Sequence, residues 1–496
     1  MNFKLFIYLF ITCTHPVFLI GQEDLTKTIE ITLEDGWESP EIHVLEDNKF
    51  LFINRKNNKN KNLENWIVSK YNSDLTVQSE IIFDIENKLY RNQLLTKTNL
   101  FILFTKPAMG TLGGIQKNQF EVVQINLKTL EIYKYYGESK AGENRFLKEK
   151  DGLLLVESSM TIHAINTITK KQIIIPCRSG VFDRVFQFNN ESEIIISEKI
   201  NKEQLLFKYN LKGELISKIN LTQIFTAANL PTTNLHLFDI QFFKDDSFLV
   251  IGKPNKGLKE GVFLVRMTNK KILSTTYFPF CTTYSKKLTE NDKENKSIYL
   301  PYKETNSISN FFSNFKLIET PSNSYYLRFD YSWRFSDTDN KGSRNLETAT
   351  LYFNQENEFI WRDNGIGIVR LTYTPYSRYG SYFDNHQPRS FTKIYPQNST
   401  NSIVLQEQVA NFILKKRIID IDGTTEMMVS DIGDFDILPG GNIKVIKMIS
   451  MNLHYLNETH LLYTAYCKIK NKTDSSKRTT FIVKLIPIEW RLFLQK

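Results

Sequence analysis

Between Arg328 and Arg389 the chain changes its choice of cation. The basic residues there are Arg328, Arg334, Arg344, Arg362, Arg370, Arg378 and Arg389, with Lys341 as the sole lysine. Aromatic residues are interleaved or flank them: Tyr326, Tyr331, Trp333, Trp361, Tyr373, Tyr376, Tyr379 and Tyr382. A guanidinium presents a flat fork that matches carboxylate, sulfate or phosphate and stacks on ring faces, which an ammonium does poorly. The candidate ligand-binding residues are therefore Arg334, Arg344, Arg370, Tyr373, Tyr376, Arg378, Tyr379, His386 and Arg389, for an anion or an acidic sugar. The same residues would serve equally well as a network pinning a long insert to the fold.

Other groupings that could do chemistry fall short of a working pattern. GESKA from Gly137 has the outline of a nucleophile elbow, but it ends in Ala141 where glycine is needed and no strand-to-helix turn surrounds it. DTDNKG from Asp337 places carboxylates at the first and third positions of a calcium loop, yet Lys341 stands where an oxygen ligand belongs. His43, His163 and His236 lie in strand-like runs, and His386, His454 and His460 are scattered without zinc-site spacing. Beyond the leader, Cys177, Cys281 and Cys467 are an odd set, widely separated, and read as buried thiols in or beside strands. No metal, no cofactor and no catalytic residue is assigned.

The elements that must position these residues are strands. SFLVIGK from Ser247, then GVFLVRMTNKKILSTTYF from Gly261, shows the unit: an apolar strand, a loop, and a hairpin turning at Asn269. Equivalent first strands of this unit begin at Phe50, Phe101, Leu153, Glu193, Tyr325, Ser402 and Leu461. The hairpins begin near Trp66, Phe120, Thr161, Leu205, Thr350, Phe412 and Phe481. A further short strand precedes each pair, as in FDIQFF from Phe238 and FKLIE from Phe315. Repetition at roughly 40 to 60 residues in four-strand units predicts an all-β chain, a β-propeller of about eight four-stranded blades, with seven as the alternative. The segment from Asp434 to Ser450 is either an extra strand pair or a long inner element. TIEITL from Thr28 is expected to pair with the final blade, whose terminal hairpin runs through Phe481 and Trp490 to Leu494.

Met1 to Gly21 has Lys4, an apolar stretch and a small residue before Gln22, the layout of a secretory signal peptide. This gives residues 1–21 as signal and 22–496 as one propeller domain. No later apolar run is long enough to span a bilayer. An exported protein follows, secreted, periplasmic or peripheral at the envelope, and the Lys, Asn and Ile bias suggests a Gram-negative bacterium. The tripeptides at Asn220, Asn398, Asn457 and Asn471 then carry little weight as glycosylation signals.

A hydrophobic fraction of 41% with 13% aromatic residues excludes a disordered chain. The net charge of +9 is moderate, and no nucleic-acid partner is expected. Strand parity makes it more informative. In a four-stranded blade the loops joining strands two and three, and the crossovers between blades, open at one face. The segments RKNNKNKNLEN from Arg55, KPAMGTLGGIQKN from Lys106, KPNKGLKEG from Lys253, RFSDTDNKGSRN from Arg334 and KIKNKTDSSKR from Lys468 all belong there. The opposite corners, LEDN from Leu45, NNES from Asn189 and KDDS from Lys244, are shorter and more acidic. Binding residues concentrate on loops held by a rigid scaffold, which points to the basic face.

The hairpin QLLFKYNLKGELISKINL from Gln204 resembles the outer half of a blade in secreted bacterial propellers of the generic TolB-like or NHL-like kind, over nearly the whole mature chain. That resemblance implies binding or scaffolding at the cell envelope more often than catalysis. Neither tryptophan docking motifs, nor WD dipeptides, nor aspartate boxes accompany it. The expectation is a noncatalytic propeller engaging an acidic glycan or an acidic protein surface. The alternative is a lyase or hydrolase on an anionic polysaccharide, with Arg370, Tyr373, Tyr376, Arg378 and His386 near its site.

Overall fold

The computed structural model describes most of the chain from Thr28 to Leu492; the longest stretches outside the description are 106–116, 282–299, 302–310, 373–391 and 432–442. The described strands form eight sheets, each with four strands joined antiparallel in succession. The first holds Glu41–Val44, Phe50–Asn58, Leu63–Tyr71 and Val77–Glu86; the second Leu89–Leu95, Asn99–Thr105, Lys117–Asn126 and Ile132–Lys140. The third holds Leu147–Lys150, Leu153–Glu157, Thr161–Asn166 and Gln172–Pro176; the fourth Arg184–Phe188, Ile194–Ile200, Glu203–Tyr209 and Leu215–Asn220. In the fifth, Leu235–Phe242, Phe248–Pro254, Gly261–Met267 and Ile272–Cys281 gain a short parallel partner, Leu300–Pro301. The sixth comprises Phe311–Glu319, Tyr325–Phe335, Ser343–Phe353 and Phe359–Asn364, and Val369–Thr372 adds to its third strand. The seventh comprises Thr392–Pro396, Ile403–Ala410, Ile413–Ile419 and Thr425–Asp431. In the eighth, Ile443–Tyr455, His460–Asn471 and Lys477–Pro487 are completed by the early strand Thr28–Leu33.

One sequence expectation changes here. The terminal hairpin through Trp490 to Leu494 does not form, because Arg491–Leu492 pairs with Met428 and Val429 of the seventh sheet. The eighth sheet's fourth place is taken by Thr28–Leu33, in register from Thr28 opposite Lys484 to Leu33 opposite Thr479. Of the segment from Asp434 to Ser450, the described part, from Ile443 on, opens one long inner strand, Ile443–Tyr455, which holds two bulges. A helix the sequence reading passed over, Leu221–Ala227, follows the fourth sheet; Asn220 caps it by accepting the Gln223 N–H at 3.1 Å.

The chain divides into two compact units. The smaller takes in Met1–Asn54, Val68–Ser79 and Asp434–Glu489, and its core joins Ile42, Phe50, Phe52 and Tyr71 to Leu462, Phe481 and Val483. The larger carries sheets two to seven, and its packing explains why the second strands read as unbroken apolar runs. Leu153 and Leu155 pack with Phe186, Ile194 and Ile196 of the fourth sheet, while Leu154 and Val156 pack with Phe101, Leu103 and Val122 of the second. Alternate side chains thus meet a different neighbouring sheet, so both faces are buried and neither can be polar. Each such side chain withdrawn from water contributes roughly 1.5–3 kcal/mol.

Within this larger unit the first strands lie side by side, Leu89–Leu95 with Leu147–Lys150, and Leu235–Phe242 with both Arg184–Phe188 and Phe311–Glu319. Polar side chains tie their corners together. Lys148 donates to the Phe186 carbonyl at 2.8 Å and Lys150 to the Asn190 carbonyl at 3.1 Å. Asn190 in turn donates to the Phe243 carbonyl, and the Lys244 N–H to Glu319 Oε1 at 2.9 Å.

Candidate functional site

Strand order places the five basic segments. Those beginning at Arg55, Lys106, Lys253, Arg334 and Lys468 all run into the connection between the second and third strands of their sheets. The acidic corners LEDN, NNES and KDDS join first to second strands and lie at the other end. Those corners are tight, with left-handed backbone at Asn48, Ser192 and Asp246.

Of the residues singled out for ligand binding, Arg334 and Arg344 occupy facing register positions in the sixth sheet. Arg370 lies on the added strand, facing Asn345 and so one step out of phase with that pair. The backbone therefore brings these three arginines to one extension of one sheet. Tyr373, Tyr376, Arg378, Tyr379, His386 and Arg389 lie outside the described residues, as does the DTDNKG loop.

Sequence reasoning missed a set of buried carboxylates at the loop-bearing ends of the first four sheets. Glu64 lies at the start of a third strand and Glu121 midway along another; Glu157 and Glu198 lie toward the ends of second strands; none is more than 8% exposed. An ionised carboxylate in such surroundings needs partners. Glu121 is paired with Lys88 and, through Oε1, with Lys134 at 3.2 Å. Glu198 accepts the Arg178 backbone N–H at 2.9 Å, and Glu64 accepts the Trp66 indole N–H at 3.2 Å. These acids tie strand ends and crossovers into place beneath the loops.

Trp66 is the hub of an aromatic group at this end. It stacks on Phe83 at 6.1 Å, meets Phe104 edge-on at 5.3 Å and tilts against Tyr90 at 5.5 Å. The Arg55 guanidinium lies 4.4 Å from the Tyr90 ring centre and 5.7 Å from that of Trp66. Nothing local in the sequence joins Arg55 to Tyr90, since they come from different sheets.

GESKA proves to be strand: Gly137–Lys140 ends Ile132–Lys140. Gly137 faces Phe120, and a Cβ there would come within 2.2 Å of the Phe120 ring, so close packing demands the glycine. The Phe120 ring meets His163 edge-on at 4.8 Å. Gln172 donates to His163 Nδ1 at 2.7 Å, which leaves the ring proton on Nε2 to reach Thr161 Oγ1 at 3.2 Å. Burial pushes the His163 imidazole down to about 4, so it is neutral at physiological pH and structural.

Cys177 and Cys467 are buried thiols outside any disulfide, and burial pushes the Cys467 thiol up. Among the described residues no three His, Cys, Asp or Glu side chains gather as a metal site would need. Nor is any described helix long and apolar enough to cross a membrane.

No protein-family model matches the chain, and no curated protein does. Among solved structures, a protein of unknown function from Bacteroides caccae is similar over 66% of this chain and 91% of its own, with 14% identity and a TM-score of 0.29. Dihydro-heme d1 dehydrogenase NirN matches 93% of this chain and 78% of its own at 9% identity and a TM-score of 0.37. The WD40 domain of SCAP from fission yeast matches 95% of this chain and 94% of its own at 9% identity and a TM-score of 0.32. Identity is 14% or lower in each of these three, and no family is singled out.

Proposed function

We propose that the chain is a β-propeller of about eight blades, seven being the alternative count, that is exported and acts as a noncatalytic binding or scaffold protein. Its ligand is an acidic glycan or an acidic protein surface, met by the loop-bearing face. The supporting observation is the placement of all five basic segments at second-to-third-strand connections, with the acidic corners at the opposite ends of their sheets. Buried acids beneath the loops support the same reading. Glu121 and Glu198 are engaged in holding strands and crossovers, the work of a scaffold rather than of a general acid or base.

The test is to pass uronic, sulfated and neutral polysaccharides over purified protein and assay for retention and for new unsaturated or reducing ends. Retention of the acidic polymers alone, with no new ends, is expected. New ends would replace this reading with a lyase or hydrolase; no retention of any acidic polymer, nor of an acidic protein, would end it.

A further inference from the structure

We propose that the short-corner end of the third, fourth and fifth sheets rests on an anionic membrane surface, with Ile168 and Leu211 entering the headgroup layer and neighbouring lysines meeting lipid phosphates. The inference stands apart from the ligand reading above, which concerns the loop-bearing end.

With four strands joined antiparallel in succession, the third-to-fourth-strand corner opens at the same end as the first-to-second corner. The three sheets share that end: Lys150 of the third donates to the Asn190 carbonyl of the fourth, and Asn190 to the Phe243 carbonyl of the fifth. Their outer corners, at 167–171, 210–214 and 268–271, carry Lys170, Lys171, Lys212, Lys270 and Lys271 against one acid, Glu214. Lys170 is held within the fold, its ammonium 3.7 Å from the Tyr133 ring centre and donating to Tyr135 Oη at 3.0 Å. The ammonium groups of Lys171, Lys212, Lys270 and Lys271 make no ion pair or hydrogen bond with the described residues. The inner corners add acids, but most of these are answered inside the fold. Asp245 pairs with Arg266 at 2.9 Å, Glu193 pairs with Lys208, and Asp151 accepts the Ser192 hydroxyl.

The apolar residues stand on the same corners. Ile168 is 76% exposed and Leu211 50%. Each corner is locked by its asparagine, so neither backbone can fold the side chain away. Asn166 Oδ1 accepts the N–H groups of Ile168 and Thr169 at 3.0 and 2.7 Å, and Asn210 Oδ1 those of Lys212 and Glu214, both at 2.9 Å. Gly213, at φ 79°, closes the second corner against the third sheet, where a Cβ on it would come within 2.5 Å of Ile173. Either apolar residue alone would be an ordinary exposed side chain. Fixed on tight corners of adjoining sheets beside unpaired ammonium groups, the two match a bilayer boundary, charged at its headgroups and apolar beneath.

The test is sedimentation of the full chain with vesicles of phosphatidylcholine alone and of phosphatidylcholine mixed with phosphatidylglycerol. Binding is expected to the mixed vesicles only. Ile168→Ser with Leu211→Ser, which keeps every charge, should weaken it about tenfold. Lys171→Gln, Lys212→Gln, Lys270→Gln and Lys271→Gln together should weaken it about a hundredfold. Lys202→Gln, at the loop-bearing corner of the fourth sheet, should leave it unchanged. Wild type that stays in the supernatant with the mixed vesicles overturns the inference, whatever acidic polysaccharide it retains. So does binding that the tip and lysine variants, folded by melting temperature, keep in full. Binding of polyglutamate governed by the corner lysines, with no binding of vesicles, would replace the membrane with an acidic protein. If the tip variant fails to fold, Ile168→Trp keeps an apolar tip: its added indole emission should shift to the blue with mixed vesicles, and an unshifted emission overturns the inference.

Discussion

Among the described residues of the larger unit, Arg266 and Arg55 both lie against aromatic rings, one buried and one half-exposed. Arg266 lies 3.9 Å from the Phe243 ring centre at the short-corner end of the fifth sheet. Its Nε donates to Ser247 Oγ at 3.0 Å, Nη2 to Asp245 Oδ2 at 2.9 Å, and Nη1 to Asn357 of the sixth sheet. At 8% exposure it is closed off, with Tyr325 beneath it. Arg55 sits on Tyr90 at the other, loop-bearing end and remains half-exposed. The same stacked cation is a bolt where tight corners bring acceptors from two sheets around it. Where the chain runs into a connection, it stays within reach of solvent.

The largest effect should come from the bolt. Arg266→Leu removes the partner of Asp245, Ser247 and Asn357 together, and urea unfolding should show a loss of about 2 kcal/mol. A loss no larger than that of an ordinary surface substitution would erase the contrast between the two ends.

A smaller effect follows in acid. Desolvation pushes the Asp245 carboxyl up, but hydrogen bonds from Ser247 and the Arg266 charge outweigh it and hold it below the ordinary 3.8. A lowered carboxyl contributes fully above its unfolded value and loses that contribution as pH falls through the folded one. The gap in urea midpoint between wild type and Arg266→Leu should therefore narrow below about pH 4. A gap that stays constant into strong acid would assign the bolt to packing on Phe243 instead of to charge.

The smallest effect sharpens the other side. Arg55→Lys, which keeps the charge at a half-exposed position, should cost less unfolding free energy than Arg266→Leu. A stability loss rivaling that of Arg266→Leu would make Arg55 a second bolt.

Much of the fold was legible because its signals are local. The runs FILFT from Phe101 and LLLVE from Leu153 are apolar at every step but their ends, and both proved to be second strands with buried faces on either side. Corners such as NLKG carry their own conformational signal, with Gly213 at φ 79°. Others hid theirs: Leu75 and Leu130 also adopt left-handed backbone, at φ 67° and 58°, yet are buried, so packing and not turn propensity holds them there. The three added strands, Leu300–Pro301, Val369–Thr372 and Arg491–Leu492, were illegible for a related reason. A two- to four-residue strand has almost no periodicity, and its partner lies elsewhere in the chain. The site divides likewise. The switch to arginine after Arg328 is visible in composition, whereas Arg55 reads as the head of a lysine-rich run, and only the fold sets it on Tyr90.

The pairing of Thr28–Leu33 with Lys477–Pro487 sets a timetable for biosynthesis. Thr480 Oγ1 donates to Glu30 Oε1 across 450 positions of sequence. Ile29 and Ile31 are therefore made well before the strand that covers them. Closing so long a loop costs only slightly more entropy than closing a shorter one, but the wait leaves a β-prone segment with its hydrogen-bonding edge open until its partner strand is made.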